Sequence, residues 1–197
     1  MRWFAVLLFP FLLSACTAES VWAPDEAVAQ ARYQHPGPKT ITLVTVLNNR
    51  SNEGAHSALL INGSERVIFD PAGSWYSRYS PERNDVHFGM TPRQWNFYVD
   101  YHSRETFRTQ IQTIEVTPEV AEMALQLAKN YGAVPKAFCA NSTSDILGQL
   151  PGFESISRGF YPAKISAAFA ELPGVRSQVI RDDDPDDNKY LLQVPEL

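Results

Sequence analysis

Cysteine is scarce. Only Cys16 and Cys139 occur in 197 residues, which excludes a disulfide-stapled scaffold and any zinc site built mainly from thiolates. Basic clusters are absent too: 17 Lys and Arg are scattered among 22 Asp and Glu, for a formal net charge of -5. No stretch can track a phosphate backbone, so nucleic acid is set aside as a partner. Long hydrophobic runs are missing. Trp3 to Leu13 spans eleven residues, one of them Pro10, well short of the about 20 that a spanning helix needs. What remains is globular. Hydrophobic residues make up 44% and aromatics 12%, over a length that suits one domain with a real core. There are no internal repeats and no low-complexity run beyond Asp182 to Asp187.

The N-terminus reads as an address. Met1 and Arg2 precede the short apolar run, and the run ends in Leu13-Ser14-Ala15-Cys16. A charged start, a short apolar stretch and small residues form a secretory signal. The quartet resembles the bacterial lipobox. That resemblance implies cleavage before Cys16 and acylation of its sulfur and amino group, so that the membrane is reached through lipid rather than a helix. An ordinary signal cut near Ala15 or Ala18 is the other reading. Position 17 is Thr rather than Asp, which by the same resemblance directs the protein to the periplasmic face of an outer membrane. The expected organisation is a signal over 1–15, a lipidated tether over 16–39 and a single domain over 40–197. With Cys16 acylated, Cys139 is the one thiol left, in an oxidising compartment.

Elements follow from periodicity. Ile41 to Leu47, His56 to Ile61, Val67 to Asp70 and Phe107 to Val116 read as strands. Asn62-Gly63-Ser64 reads as a hairpin connection. Pro71 to Pro92 looks irregular. Thr91-Pro92 and Thr117-Pro118-Glu119 open helices, each with a hydroxyl cap before a proline at the first position. Gly132 can end the second of these. A further helix lies between Phe138 and Leu150, and a short one spans Lys164 to Leu172. Asp25 to Tyr33 in the tether can also form a helix. Ser177 to Ile180 and Tyr190 to Val194 look like a closing strand pair. Strands and helices mix without regular alternation, so the expected class is α+β with a mostly antiparallel sheet packed on helices.

Three residues stand out for chemistry. Cys139 sits where a helix begins, and a thiol there is acidified by the positive end of the helix dipole. Ser142-Thr143-Ser144-Asp145 resembles a capping box, which places the helix start three residues later. A buried, inert cysteine is the competing reading. His56 lies in an apolar strand, where a ring nitrogen must find a partner. His87 and His102 are alternatives; His35, beside Pro36 in the tether, is a weak one. Asp70 ends the next strand. A three-residue loop pairs His56 with Asp70, and a five-residue loop pairs Ala58 with Asp70 and leaves His56 diagonal on the same face. Loops of two or four residues turn the carboxylate away. Asp70 capping the turn at Pro71 is the other reading. The acid run 182–187 reads as a solvated turn rather than a calcium loop, lacking the required spacing and glycine. Trp75, Tyr76, Tyr79, Trp95, Phe97, Tyr98 and Tyr101 form an aromatic group that serves either a core or a substrate groove.

The order is His in Gly54-Ala55-His56-Ser57-Ala58-Leu59-Leu60-Ile61, acid in Val67-Ile68-Phe69-Asp70-Pro71, then Cys in Phe138-Cys139-Ala140-Asn141-Ser142. It resembles the circularly permuted branch of the NlpC-like papain-fold enzymes, relatives of lecithin:retinol acyltransferase. The resemblance covers roughly residues 41–150. It departs from the family at Ala140, where many relatives carry a polar residue, and at Asp70, where relatives vary. It implies a papain-like domain with Cys139 as nucleophile, His56 as base and Asp70 as orienting acid, and no metal or cofactor. The implied activity is hydrolysis or transfer of acyl groups in amides or esters, on peptidoglycan peptides first, or on acyl lipids. Two other readings stand beside it: a lipid-anchored binding or scaffold module without turnover, and a lipoprotein of unrelated fold in which Cys139 and His56 never meet.

Overall fold

The computed structural model describes residues 18–193, so the signal-like segment 1–15 and Cys16 lie outside the described residues. Among these residues seven strands form one sheet. They are β1 (Thr40–Asn48), β2 (Gly54–Asn62), β3 (Arg66–Phe69), β4 (Glu82–Arg83), β5 (Val86–Phe88), β6 (Phe107–Glu115) and β7 (Arg176–Ile180), in the order β4-β5-β3-β2-β1-β6-β7. Every pairing is antiparallel. The described helices are α1 (Asp25–Ala31), α2 (Pro92–His102), α3 (Pro118–Asn130), α4 (Cys139–Leu147) and α5 (Pro162–Ala170), with a 3-10 turn at Lys189–Leu192. The α+β class expected from the sequence is the class observed.

β1 and β2 read as continuous apolar runs because both of their faces are covered. On one face Ile41, Leu43, Leu59 and Ile61 pack with Leu125 of α3, Ile146 and Leu147 of α4, and Phe169 of α5. On the other, Val44, Ala58 and Leu60 pack with Trp75, Met90 and Tyr98. Each fully buried aliphatic or aromatic side chain stabilises by about 1.5–3 kcal/mol, so these two layers hold the sheet. α2 and α3 begin where their Thr-Pro pairs place them. Thr91 Oγ1 accepts from the Gln94 N–H at 3.3 Å and Thr117 Oγ1 from the Val120 N–H at 3.4 Å.

Four expectations need correction. The closing strand pair does not form. β7 pairs with the free edge of β6, while the chain beyond it is tied down by its acids: Asp184 accepts from Arg104 at 2.9 Å and Asp186 from Thr106. Tyr190 falls in the 3-10 turn, and Val194 lies outside the described residues. The region read as irregular contains the β4–β5 hairpin, closed by Asn84 and Asp85, both left-handed at φ 45 and 66, as a two-residue type I′ turn requires. The segment read as a tether lies on the domain: Asn84 N–H donates to the Val21 carbonyl and Ala23 N–H to the Glu82 carbonyl, both at 2.9 Å. α5 starts at Pro162, two residues before Lys164, because proline is favoured at a first helical position.

Candidate active site

The β2–β3 register decides where the acid falls. Ile61 pairs with Val67 and Leu59 with Phe69, and pairing extends to Asn62 opposite Arg66. Continued past Phe69, this register sets Ala58 opposite Asp70 and His56 diagonal to it on the same face. A bulge in β2 sharpens the aim: Val46 pairs with His56 but Leu47 with Gly54, so Ala55 is the extra residue. His56 Nε2 donates to Asp70 Oδ1 at 2.6 Å, with the His56 side chain 14% exposed and Asp70 buried.

The loop after β3 holds the carboxylate. Asp70 N–H donates to the Asp85 carbonyl at 2.7 Å and Gly73 N–H to the Asp70 carbonyl at 3.0 Å. A Cβ on Gly73 would stand 1.9 Å from Asp70 Oδ2, so only glycine fits there. Asp70 Oδ1 also accepts the Tyr98 hydroxyl at 2.6 Å. Asp85 ties this loop to the one before Cys139: its Oδ1 accepts from Ala72 N–H at 3.2 Å and its Oδ2 from Val134 N–H at 2.6 Å.

Cys139 is the first residue of α4, with Phe138 as a cap that offers no side-chain bond. The capping box does not form. Ser142, Thr143 and Ser144 are buried inside α4, so their hydroxyls turn back on the carbonyls of Phe138, Cys139 and Ala140, and Asp145 accepts from the Tyr131 hydroxyl at 3.0 Å. The helix starts early because Ala137, left-handed at φ 70, reverses the chain just before it. The Phe138 N–H closes that turn on the Pro135 carbonyl at 3.2 Å. Ser57 and Thr143 hydroxyls, 3.0 Å apart, fasten α4 to β2 one residue from His56. Continued register would set Pro71 opposite Ser57. Because β3 ends before that point, the Ser57 N–H is left to favour the Cys139 thiolate, as does the Ala140 N–H.

The charges follow from these contacts. Burial opposes ionisation of Cys139, but the hydrogen bond and charge of His56, with the N–H groups of Ser57 and Ala140, bring the thiol below its ordinary value. Burial would also lower His56. Asp70 overrides it by charge and hydrogen bond, and with the Cys139 contribution raises His56 to about 10. Burial would raise Asp70, yet His56 holds it below the usual carboxylate range. With Nε2 on Asp70, the Nδ1 side of His56 is left for Cys139. Backbone N–H groups at the start of α4 have no partner within the helix, so they stand ready for an oxyanion beside the sulfur. A thiol, an imidazole and a carboxylate so arranged can serve as nucleophile, base and orienting acid.

All three sequence candidates therefore meet. The sequence reading undervalued the aromatic side of the site. Tyr98, named there only as one of the aromatics, supports Asp70; its hydroxyl proton is held well above the usual range, by burial first and then by the Asp70 charge. His102 stacks on His56 with ring centroids 5.7 Å apart and planes 9° apart. Its Nδ1 donates to the Tyr98 carbonyl at 2.8 Å. Burial pushes His102 down to about 4, the His56 charge adding to this and Asp70 opposing it, so it is neutral beside a charged ring. The helical spacing of Tyr98 and His102 was the available signal. Asp85 and Gly73 carried none beyond their turn chemistry. His87 packs edge-on against Trp75 at 5.0 Å, and His35 bonds Tyr33 and Arg66 away from the site.

One ligand atom from each of His56, Asp70 and His102 lies within 4.8 Å of the others. Two imidazoles and a carboxylate suit a divalent transition metal, which would compete with the proton shared by His56 and Asp70. Asp100, Asp182 and Asp184 also cluster, but Arg104 already neutralises Asp100 and Asp184 at 2.9 Å each. No helix among the described residues is long and apolar enough to cross a membrane. No family model, no curated protein and no solved structure matches the chain.

Proposed function

We propose that this protein is a thiol hydrolase or acyltransferase with a papain-like arrangement, in which Cys139, His56 and Asp70 act as one unit. The observation that carries the reading is that His56, bonded to Asp70 at 2.6 Å, acts by charge on Cys139 at the N-terminus of α4. The order of strand, strand and helix supports the permuted papain-like reading, as does a Cys-bearing helix packed on an antiparallel sheet.

The chemistry runs through two transfers. His56 takes the Cys139 proton, and the thiolate adds to an acyl carbonyl. The oxyanion is met by N–H groups at the start of α4. On collapse the carbon–leaving-group bond breaks, and His56 gives its proton to the departing alcohol or amine. Water, or an acceptor alcohol or amine, then adds to the Cys139 thioester with His56 as base, and the thiol leaves. Asp70 keeps the imidazole in one tautomer throughout. The substrate is an amide or ester. Through acylated Cys16 the domain would work at the periplasmic face of the outer membrane, on peptidoglycan peptides or acyl lipids.

The test is turnover of cell-wall peptides and acyl esters by wild type, Cys139→Ala and His56→Ala. Both variants should lose activity by at least a thousandfold while keeping the fold, since members of a catalytic unit fail together. Equal activity of wild type and Cys139→Ala would leave only a binding or scaffold role.

A further inference from the structure

Asp85 bonds both loops that carry the site. Its carbonyl accepts from the Asp70 N–H at 2.7 Å, its Oδ1 from the Ala72 N–H at 3.2 Å and its Oδ2 from the Val134 N–H at 2.6 Å. Ala72 belongs to the turn that the Gly73 N–H closes on the Asp70 carbonyl at 3.0 Å. Val134 opens the stretch 134–138 that leads into Cys139. Both loops are strained. Ala72 at φ 55 and Ala137 at φ 70 stand in the left-handed region, which is costly for a residue with a Cβ and persists only where the surroundings enforce it.

Asp85 is an expensive residue for its own position. It stands at φ 66 as the second residue of the Asn84-Asp85 turn, where glycine is the cheapest choice. Its side chain is buried, and a buried carboxylate needs compensation. Burial raises it to about 6; the N–H groups of Val134 and Ala72 pull the other way, and the charges of Glu82 and Asp70 add to the rise. The turn therefore does not account for the carboxylate, whereas the two N–H groups do. The turn is also a fixed platform. Asn84 N–H donates to the Val21 carbonyl at 2.9 Å, and Asn84 Oδ1 accepts from the Ser20 hydroxyl at 2.9 Å.

We infer that Asp85 is a positioning residue, which holds the Asp70 turn and the stretch 134–138 at a fixed separation and so sets the Cys139 thiol against His56. This rests on the catalytic reading above. Asp70 fixes the His56 ring at 2.6 Å, so a shift of the Asp70 turn shifts the imidazole. The Phe138 N–H closes its turn on the Pro135 carbonyl at 3.2 Å, so a shift at Val134 is passed to the start of α4. Among side chains of this length only Asp offers two acceptor oxygens, one for each loop.

The test separates the carboxylate from the turn. Asp85→Gly removes the first and keeps the second, because Asn-Gly is a favoured type I′ pair. A cavity of about 720 Å³ is lined in part by Ala72, Asp85 and Val134, so water can meet the two freed N–H groups. Tm should therefore stay within about 4 °C of wild type. The readout is the pH profile of iodoacetamide alkylation at the Cys139 peptide of the full chain, followed by mass spectrometry. In Asp85→Gly its midpoint should move towards about 8.5, the value of a free cysteine, and the rate at pH 7 should fall about fivefold or more. Asp85→Asn keeps one acceptor oxygen and should fall between the two. Reactivity then declines from Asp to Asn to Gly without a matching decline in Tm, an order that a merely structural role does not produce. A fast wild type with an unchanged profile in Asp85→Gly overturns the positioning role and leaves the catalytic reading standing. Lost reactivity that tracks unfolding in both variants overturns the positioning role as well. An ordinary thiol profile in wild type overturns the catalytic reading and this inference with it.

Discussion

Asp70→Asn changes the charge of the site and little else. Asp70 Oδ1 accepts both the His56 ring and the Tyr98 hydroxyl, and an asparagine oxygen can accept both in the same place. Asp70 Oδ2 has no hydrogen-bond partner among the described residues, so an NH₂ of equal size takes its position without breaking a bond. What goes is the carboxylate beside His56. Two unit charges about 4 Å apart interact by about 4 kcal/mol at an effective dielectric constant of about 20, which is about three pH units. Without it, burial governs His56, and its value falls from about 10 towards neutrality. The thiolate–imidazolium pair then gives way to neutral thiol and imidazole. The assay is the rate of iodoacetamide alkylation at Cys139 from pH 5 to 9. Wild type should react from the acidic end of the range, and Asp70→Asn should be at least tenfold slower at pH 6. Its profile should rise only near the pH of an ordinary thiol. Superimposable profiles, with both proteins folded, would refute the assignment of Asp70 as the group that charges His56.

The other predictions rest on separate observations. Gly73→Ala should cut activity at least tenfold with only a modest loss of stability, because the new methyl displaces the Asp70 carboxylate 1.9 Å away; full activity would mean that the loop can shift freely. In Cys139→Ala the Cys139 contribution is gone but Asp70 still holds His56 above its ordinary value by charge and hydrogen bond, so the folded state keeps a proton that the unfolded state loses above about 6.5. That stabilisation is whole below the unfolded value and disappears as pH rises through the folded one, so Tm should drop by about 5 °C or more between pH 6.5 and 10. The drop should be smaller in Cys139→Ala/Asp70→Asn, as scanning calorimetry would read. Cys16→Ser should release the protein from membranes or leave its precursor uncut; normal processing with unchanged membrane partition would refute the lipid anchor.

The sequence by itself determined the class of the fold and singled out the candidate groups for chemistry. Apolar runs at Ile41 to Leu47 and His56 to Ile61 could satisfy their side chains only as buried strands, and Thr-Pro pairs at 91 and 117 could only begin helices cheaply. With two cysteines in the chain and one of them at position 16, Cys139 was the one thiol left to consider within the expected domain. These are local facts, set by periodicity and by the chemistry of single residues. Tertiary structure decided what is set by distance. The sequence left several hairpin loops open for His56 and Asp70, and the packing of Leu59, Ile61, Val67 and Phe69 into one core layer selected the register, since a slip by one residue would turn every side chain over. The capping box lost to the left-handed turn at Ala137, because burial of α4 required its hydroxyls for its own carbonyls. Segment 16–39 reads as a polar tether until the β4–β5 hairpin offers Val21 and Ala23 backbone partners. Tyr98, His102 and Asp85 enter the site only because α2 and two loops converge on one face of β2 and β3. Such convergence depends on contacts between residues far apart in the chain, and no local pattern encodes it.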